Sequence, residues 1–347
     1  MAKKMRYDSK SFDVKTLQNS NLVQSLVGAE TRFDSAEDAS VFFARELDHV
    51  KAKSYDKQYP ELTSFSLFPH TSEADPGDET ITYYGYDKVG MASIINNYAT
   101  DLPRADVKGS PETAQIKSIG ASYGYSVQEM RASRKAGKGL DHRKAESARY
   151  QVDRMLNKIA WAGDKANNLM GVLTEDNNIP YAVISEILRT DGTKAKKWAD
   201  KDADEILADI NGMMATVSRN TKNVERPDTL VLPTDVFIDI STRRIPMTET
   251  TVKDFVQEHA PYLKEIVAAS ELNADSTETN PFAAAENGEN VAFFFTKDAD
   301  KLAVEDPMPY YQYPVQERNL EVVVPCEART AGVIIYYPLS ALIAVGI

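Results

Sequence analysis

The spacing of apolar and polar positions divides the chain into stretches of different character. Residues 1 to 34 are polar and mixed. Ser35, with Asp38 three positions on, then resembles a capping box opening "AEDASVFFARELDHVKAK", which predicts a helix over about 36–52. The next segment, "TSFSLFPHTSEADPGDETITYYGYDKVGMASIINNY", holds short β-rich runs around the turn signal "ADPGDE" and is rich in tyrosine. After it, "ATDLPRADVKGSPETAQIKSIG" has two prolines and few large apolar residues. Such a segment buries little of itself and predicts a projecting ribbon that packs on something else.

From Ser126 the period becomes helical, breaks at "KAGKGLD", and resumes in "DHRKAESARYQVDRMLNKIAWAGD". There Ala145, Ala148, Val152, Met155, Leu156 and Ile159 recur at three- and four-residue spacing, with Asp141 placed to cap the start and Gly163 the end. The opposite face, from Arg143 through Arg149 to Lys158, is charged throughout. A second α/β region follows: a hairpin around Asp191 and Gly192, a helix "DADEILADINGMMATVSRN", a strand "TLVLP", a helix near "TTVKDFVQEHAPYL" and a strand "KEIVAAS". Between Asn273 and Asn290 lies a low-complexity loop for which a compact monomer has little use. The chain closes with "VAFFFTKD", "LEVVVPCEA", "GVIIYYP" and "ALIAVGI", all strand-like, and contains no internal repeat. The long helix and the closing strands are expected to pack together, leaving the region between them as an insertion-like second domain of an α+β fold.

Composition narrows the function classes. With 347 residues, 42% apolar and 27% charged, the chain is long enough for a large core. It has no apolar run long enough to span a bilayer and no secretion signal at its start, so it is expected to fold in a cytoplasm without a membrane partner. The single cysteine, Cys326, rules out an internal disulfide and reads as a buried strand residue. His49, His70, His142 and His259 show no ligand spacing, so no metal or other cofactor is expected. A net charge of -12 argues against a dedicated DNA-reading surface; only the N-terminal tail, with Lys3, Lys4, Arg6 and Lys10, is locally basic.

One stretch spells a catalytic pattern. "GASYG", Gly120 to Gly124, places Ser122 in Gly-x-Ser-x-Gly, the nucleophile elbow of hydrolases. The preceding "TAQIKSI" alternates as an exposed ribbon does and no glycine-rich oxyanion loop lies upstream, so a trio of Ser122, Asp235 or Asp239, and His259 is disfavoured. "RKAGKGLD" lacks phosphate-loop spacing and reads as a hinge at Gly137 and Gly139 before Asp141. "ADKDADE" and "KDADK" fail the calcium-loop pattern. The aromatic clusters "ITYYGY" and "MPYYQYP" fit half-buried strand pairs or subunit contacts better than base stacking.

With these segments in order, the chain resembles a known family. "YGYSVQEMRASRKAGKGLDHRKAESARYQVDRMLNKIAWAGD" followed by "NLMGVL" is similar to the spine-helix region of tailed-phage major capsid proteins of the Hong Kong 97-type fold. Further similar segments are "FFARELDHVKAKSYDKQYPEL", "YDKVGMASIINNYATDLPRADV", "DADEILADINGMM", "DTLVLPTDVF" and the ending "GVIIYYPLSALIAVGI", so the resemblance spans about residues 40–347. It implies an N-terminal arm over 1–40, an N-terminal helix region over 41–60 and an extended β loop over 61–118. A peripheral domain with the long spine helix would occupy 119–194, an axial domain 195–310, and peripheral C-terminal strands 311–347. In this scheme "GASYG" becomes the turn where loop meets spine, with Gly120 and Gly124 giving turn freedom.

The function implied is a non-enzymatic shell subunit that assembles into pentamers and hexamers around double-stranded DNA, with portal, scaffolding and possible decoration proteins as partners. It implies a virion location after assembly in the bacterial cytoplasm. Glu129, Arg131, Arg143 and Arg149 are candidate assembly positions, against the plainer reading that they are solvated helix charges. Two alternatives stand beside it: an encapsulin-type nanocompartment shell, and a serine hydrolase using Ser122.

Overall fold

A computed structural model describes residues 58–94, 104–136, 142–184, 186–188, 194–284 and 288–347. In chain order the elements begin with α1 (Ser64–Leu67), β1 (His70–Thr71), β2 (Thr80–Val89), β3 (Asp106–Gln115), β4 (Lys117–Ser126), α2 (Val127–Ala136) and the long α3 (Arg143–Ala162). They continue with β5 (Tyr181–Val183), β6 (Ile187–Leu188), β7 (Lys194–Ala195), α4 (Ala203–Asn220), β8 (Thr229–Pro233), α5 (Thr234–Thr242), α6 (Val252–His259) and β9 (Glu265–Ala269). The last strands are β10 (Val291–Phe295), β11 (Leu302–Glu305), β12 (Met308–Gln312), β13 (Gln316–Arg318), β14 (Glu321–Thr330), β15 (Gly332–Ile335) and β16 (Leu342–Val345). No described helix is long and apolar enough to cross a membrane.

The uninterrupted apolar runs "TLVLP", "VAFFF" and "LIAV" lie in one five-stranded sheet, ordered β5-β16-β10-β8-β9. Every residue of β8, β10 and β16 is buried, because both faces of this sheet are covered. On one face Phe293, Phe295, Val231 and Ile343 meet Phe68, Trp161 and Leu173. On the other, Phe294, Leu230, Leu232 and Leu342 meet Trp198 and the apolar faces of α4, α5 and α6. Residues 60–347 form one compact unit built around this shared sheet.

The closing strands divide between sheets, although residues of β15 and β16 share one core cluster with Ala160 and Trp161 of α3. β14 pairs with β4 over ten residues beside α3, and β15 pairs with β11, whereas β16 inserts between β10 and β5 in the central sheet. The alternation "EVVVPCEA" marks a sheet covered on one side, while the solid run "LIAV" marks one covered on both.

The stretch 61–118 likewise differs from a uniform extended loop. Leu67 and Phe68 are buried at 2% exposure each in the central core, and β1 pairs in parallel with β11. Only from Thr80 does the chain leave the body. α3 ends where Gly163 adopts a φ of 70°, and a Cβ there would meet the Leu169 carbonyl at 2.6 Å. The helix expected near "TTVKDFVQEHAPYL" is confined to α6, ending before Pro261, and α5 is an additional helix carrying the buried Val236 and Ile240.

The described residues of the segment 273–290, which are 273–284 and 288–290, are also more structured than a slack loop. Asn280 is fully buried, and its side-chain amide donates to the carbonyls of Leu272, Asn273 and Glu289 at 3.2, 3.1 and 3.0 Å. The helix expected at 36–52, the basic tail, the hairpin tip at Asp191 and Gly192, and the hinge at Gly137, Gly139 and Asp141 lie outside the described residues.

Candidate functional site

The feature that needs a partner is the ribbon of β2 and β3. Its ten cross-strand pairs run without a bulge from Thr80 opposite Gln115 to Val89 opposite Asp106. Alternation along the strands sorts it into two faces. Tyr84 and Tyr86 share a face with their cross-strand partners Pro111 and Gly109 and with Val107. The ring of Tyr86 lies over Gly109, where an added Cβ would come within 3.1 Å of it. Tyr84 is 63% exposed and Tyr86 73%, and beyond them Met91 and Ile94 are also open to solvent. A two-stranded ribbon is marginal by itself. Exposed aromatic residues along its length leave the burial incomplete within one chain.

The ribbon touches its own body near its base. The Tyr83 ring meets Tyr336 edge-on at 5.1 Å, while its hydroxyl donates across the ribbon to Glu112 at 2.6 Å. Burial, then the bond to Glu112, raise the Tyr83 pKa well above the ordinary phenol value, so this contact persists through any physiological pH. On the return side Ile116, 3% exposed, donates its amide to the Glu79 carbonyl at 2.8 Å before the chain enters β4.

β4 overturns the reading of Gly120 and Gly124 as turn residues. Both sit inside a regular strand, opposite Glu327 and Val323 of β14, and neither has a positive φ. Side-chain alternation puts Ser118, Gly120, Ser122, Gly124 and Ser126 on one face, while Ile119, Ala121, Tyr123 and Tyr125 turn toward α3 and the buried Cys326. Gly-x-Ser-x-Gly is thus the small-residue face of a strand. A nucleophile elbow needs a sharp strand-to-helix turn at the serine, and here Ser122 is mid-strand, opposite Pro325. The shallow depression beside it is lined by Ser118, Tyr313, Pro325, Cys326 and Glu327, without a histidine. His259 instead bonds the Phe255 carbonyl on its own helix. Ser122→Ala is expected to change stability by less than about 0.5 kcal/mol. Thermal melts and ester-hydrolysis assays of the two proteins check this; a Ser122-dependent activity would contradict it.

The four charged candidates separate by environment. Glu129 closes a capping box on α2: its carboxylate accepts from the Ser126 amide at 3.1 Å, and the Ser126 hydroxyl accepts from the Glu129 amide at 3.1 Å. Lys144 of α3 donates to Glu129 at 3.0 Å and to the Gly124 carbonyl at 3.0 Å, tying β4, α2 and α3 together. Arg149 pairs with Asp153 at 3.6 Å and lies 5.8 Å from the Tyr310 ring. Arg131 and Arg143 are exposed. Glu129 is therefore a joint within the chain, a role that the pattern "SVQE" makes readable from sequence.

The hydrogen bond from Lys144, then that from Ser126, hold the Glu129 pKa below the usual carboxylate range. A depressed folded value means its contribution is present above the unfolded value and is lost as pH falls through the folded one. The α2–α3 junction is expected to stay intact on mild acidification and to loosen only below the ordinary carboxylate range. Amide exchange at residues 127–130 against pH reads this directly, and loosening already near neutrality would contradict it.

Among the described residues no group of three His, Cys, Asp or Glu side chains could hold a metal ion. What remains is a completed core carrying an uncompleted ribbon. Residues 90–347 match the family described as "Major capsid protein". No curated protein matches the chain. Among solved structures, "The capsid of Myoviridae Phage XM1" is similar at a TM-score of 0.74 and 14% identity, covering 89% of this chain and 100% of that one. A "Mycobacterium phage Ogopogo" structure is similar at 0.55 and 14%, covering 86% and 96%. "Capsid of native GTA particle computed with C5 symmetry" is similar at 0.59 and 8%, covering 92% and 99%. At such identities the likeness is one of fold, and that fold is the Hong Kong 97-type fold of phage capsids.

Proposed function

The chain belongs to the major capsid protein family, and we propose that it is the shell subunit of a tailed phage, forming pentamers and hexamers that close an icosahedral shell around double-stranded DNA. The observation that carries this reading is the β2–β3 ribbon, a two-stranded projection that leaves Tyr84 and Tyr86 open to solvent. A ribbon that leaves its own subunit makes a heterologous contact, one patch meeting a different patch on the next copy, and such contacts close rings. On this reading α3 is the spine of a peripheral domain, the sheet face bearing α4, α5 and α6 belongs to an axial domain, and the pinned loop 273–290 lies near the capsomer axis.

With a net charge of -12, contact with packaged DNA is weak and nonspecific. Portal, scaffolding and decoration proteins are the remaining partners, met during assembly in the bacterial cytoplasm, and the virion capsid is the final location. The reading is of a structural protein. The family match favours a phage shell over a nanocompartment, and the mid-strand position of Ser122 speaks against the hydrolase.

Sedimentation velocity of the purified protein over a range of concentration and ionic strength tests the proposal. Rings and shells should appear as fast boundaries that grow with concentration. A single monomer boundary under every condition would count against it.

A further inference from the structure

The ribbon leaves the body through residues 70–78, and the groups holding that segment are unusual. Its only regular pairing is the two-residue parallel strand β1, with His70 opposite Val304 and Thr71 opposite Glu305. The Glu305 side chain supplements it. Glu305 is 1% exposed, and its carboxylate accepts from the Thr71 hydroxyl at 2.5 Å and from the amides of Glu73 and Ala74 at 2.6 and 2.9 Å. All three donors belong to the outgoing segment 71–74, and none of them is a cation. From β14, Arg329 donates to the carbonyls of Pro76 and, at 2.9 Å, of Asp78. His70 pairs with Asp306 at 2.8 Å.

A buried carboxylate satisfied by neutral donors contributes little net stability, since removing it from water costs several kcal/mol and an apolar residue could fill the same space. What it supplies is direction, because three donors converging on two oxygens fix the path of residues 71–74. The ribbon is a long lever. Ten residues per strand reach about 33 Å, so a tilt of about 10° at the root moves its far end by about 6 Å. Displacement on that scale takes Tyr84 and Tyr86 out of any packed contact, since such contacts fall away within an ångström.

We propose that Glu305, assisted by Arg329, is the positioning residue that sets the direction of the ribbon, and thereby the geometry with which one subunit reaches the next. The assembly part of this proposal rests on the shell-subunit reading; the anchoring part does not.

The test compares Glu305→Ala and Glu305→Gln in the full-length protein. Glutamine keeps the anchor, because its oxygen still accepts from Glu73 and Ala74 while its amide donates to the Thr71 hydroxyl. Alanine removes all three bonds. In Glu305→Ala, amides of residues 71–79 should exchange at least tenfold faster while β8, β10 and α3 keep their protection, and shell yield by electron microscopy should fall at least tenfold. Glu305→Gln should restore both. Thr71→Val, which removes one donor, carries the same comparison if the alanine variant does not fold. Unchanged exchange over 71–79 would overturn the proposal. So would loss of protection spread equally through the central sheet, or normal assembly despite a loosened root. A wild-type protein that forms no shells refutes the shell reading, while the exchange comparison still decides the anchor.

Discussion

Joining Tyr83 to Glu112 through an Asn-Gly turn, with residues 84–111 removed, is expected to abolish shell formation and leave a folded monomer. Tyr83 and Glu112 face each other across the ribbon, so a two-residue turn of the type that matches strand twist closes the stump there. The stump keeps the contact by which the ribbon base meets its own body, the Tyr83 ring on Tyr336, together with the two bonds that join its own legs, the Tyr83 hydroxyl on Glu112 and the Ile116 amide on the Glu79 carbonyl. The described residues removed, 84–94 and 104–111, are open to solvent, including Tyr84, Tyr86, Met91, Ile94 and Val107. Removing exposed surface of this kind should move the melting midpoint by no more than about 2 °C. Assembly should fail completely, because on the proposed reading the missing residues carry the contact to the neighbour. Shells of ordinary size from this variant would show that the ribbon is not the assembly element.

Phe68→Ala is expected to have the opposite profile, a large loss of stability. Phe68 is 2% exposed, and its ring meets Trp161 at 4.9 Å, Phe295 at 5.7 Å and Phe293 at 6.2 Å. It is the point where the segment leading to the ribbon is fixed to both α3 and the central sheet. Deleting a fully packed phenylalanine leaves a cavity that rigid neighbours fill poorly, at a cost of about 3–5 kcal/mol. For a chain of this size that corresponds to a fall in melting temperature on the order of 10 °C. Phe65, three residues earlier and 42% exposed, provides the control: its alanine variant should lose less than about 1 kcal/mol. Denaturant titrations of the two variants separate them, and equal losses would mean that Phe68 is not the anchor the packing indicates.

These contrasts show what the sequence made legible. The long helix could be read because Ala148, Val152 and Ile159 recur at helical spacing and all are buried. The strands "TLVLP" and "VAFFF" could be read because solid apolar runs have few other uses. The self-insufficient ribbon was legible from what "ADVKGSPETAQ" lacks. Glu305 and Asn280 were not legible. Each is a single polar residue whose role is set by the backbone it meets, and Glu305 meets residues more than 230 positions away in sequence. No local spacing encodes such a meeting.

Gly120 and Gly124 show the opposite hazard. The pattern "GASYG" by itself is compatible with an elbow, a turn and the small-residue face of a strand; its sequence context disfavours the elbow, and the pairing with β14 decides for the strand. The sheet of the final strand was not legible for a related reason: "ALIAVGI" announces a buried strand but not which sheet receives it. Membership of the central sheet depends on β16 fitting between β10 and β5.

The most direct measurement is an electron cryomicroscopy reconstruction of particles assembled from the wild-type chain. The account predicts closed shells with five- and six-fold capsomers in which each β2–β3 ribbon crosses onto a neighbouring subunit and Tyr84 and Tyr86 are covered by it. Particles in which the ribbon folds back on its own subunit, leaving both tyrosines uncovered by a neighbour, would contradict it.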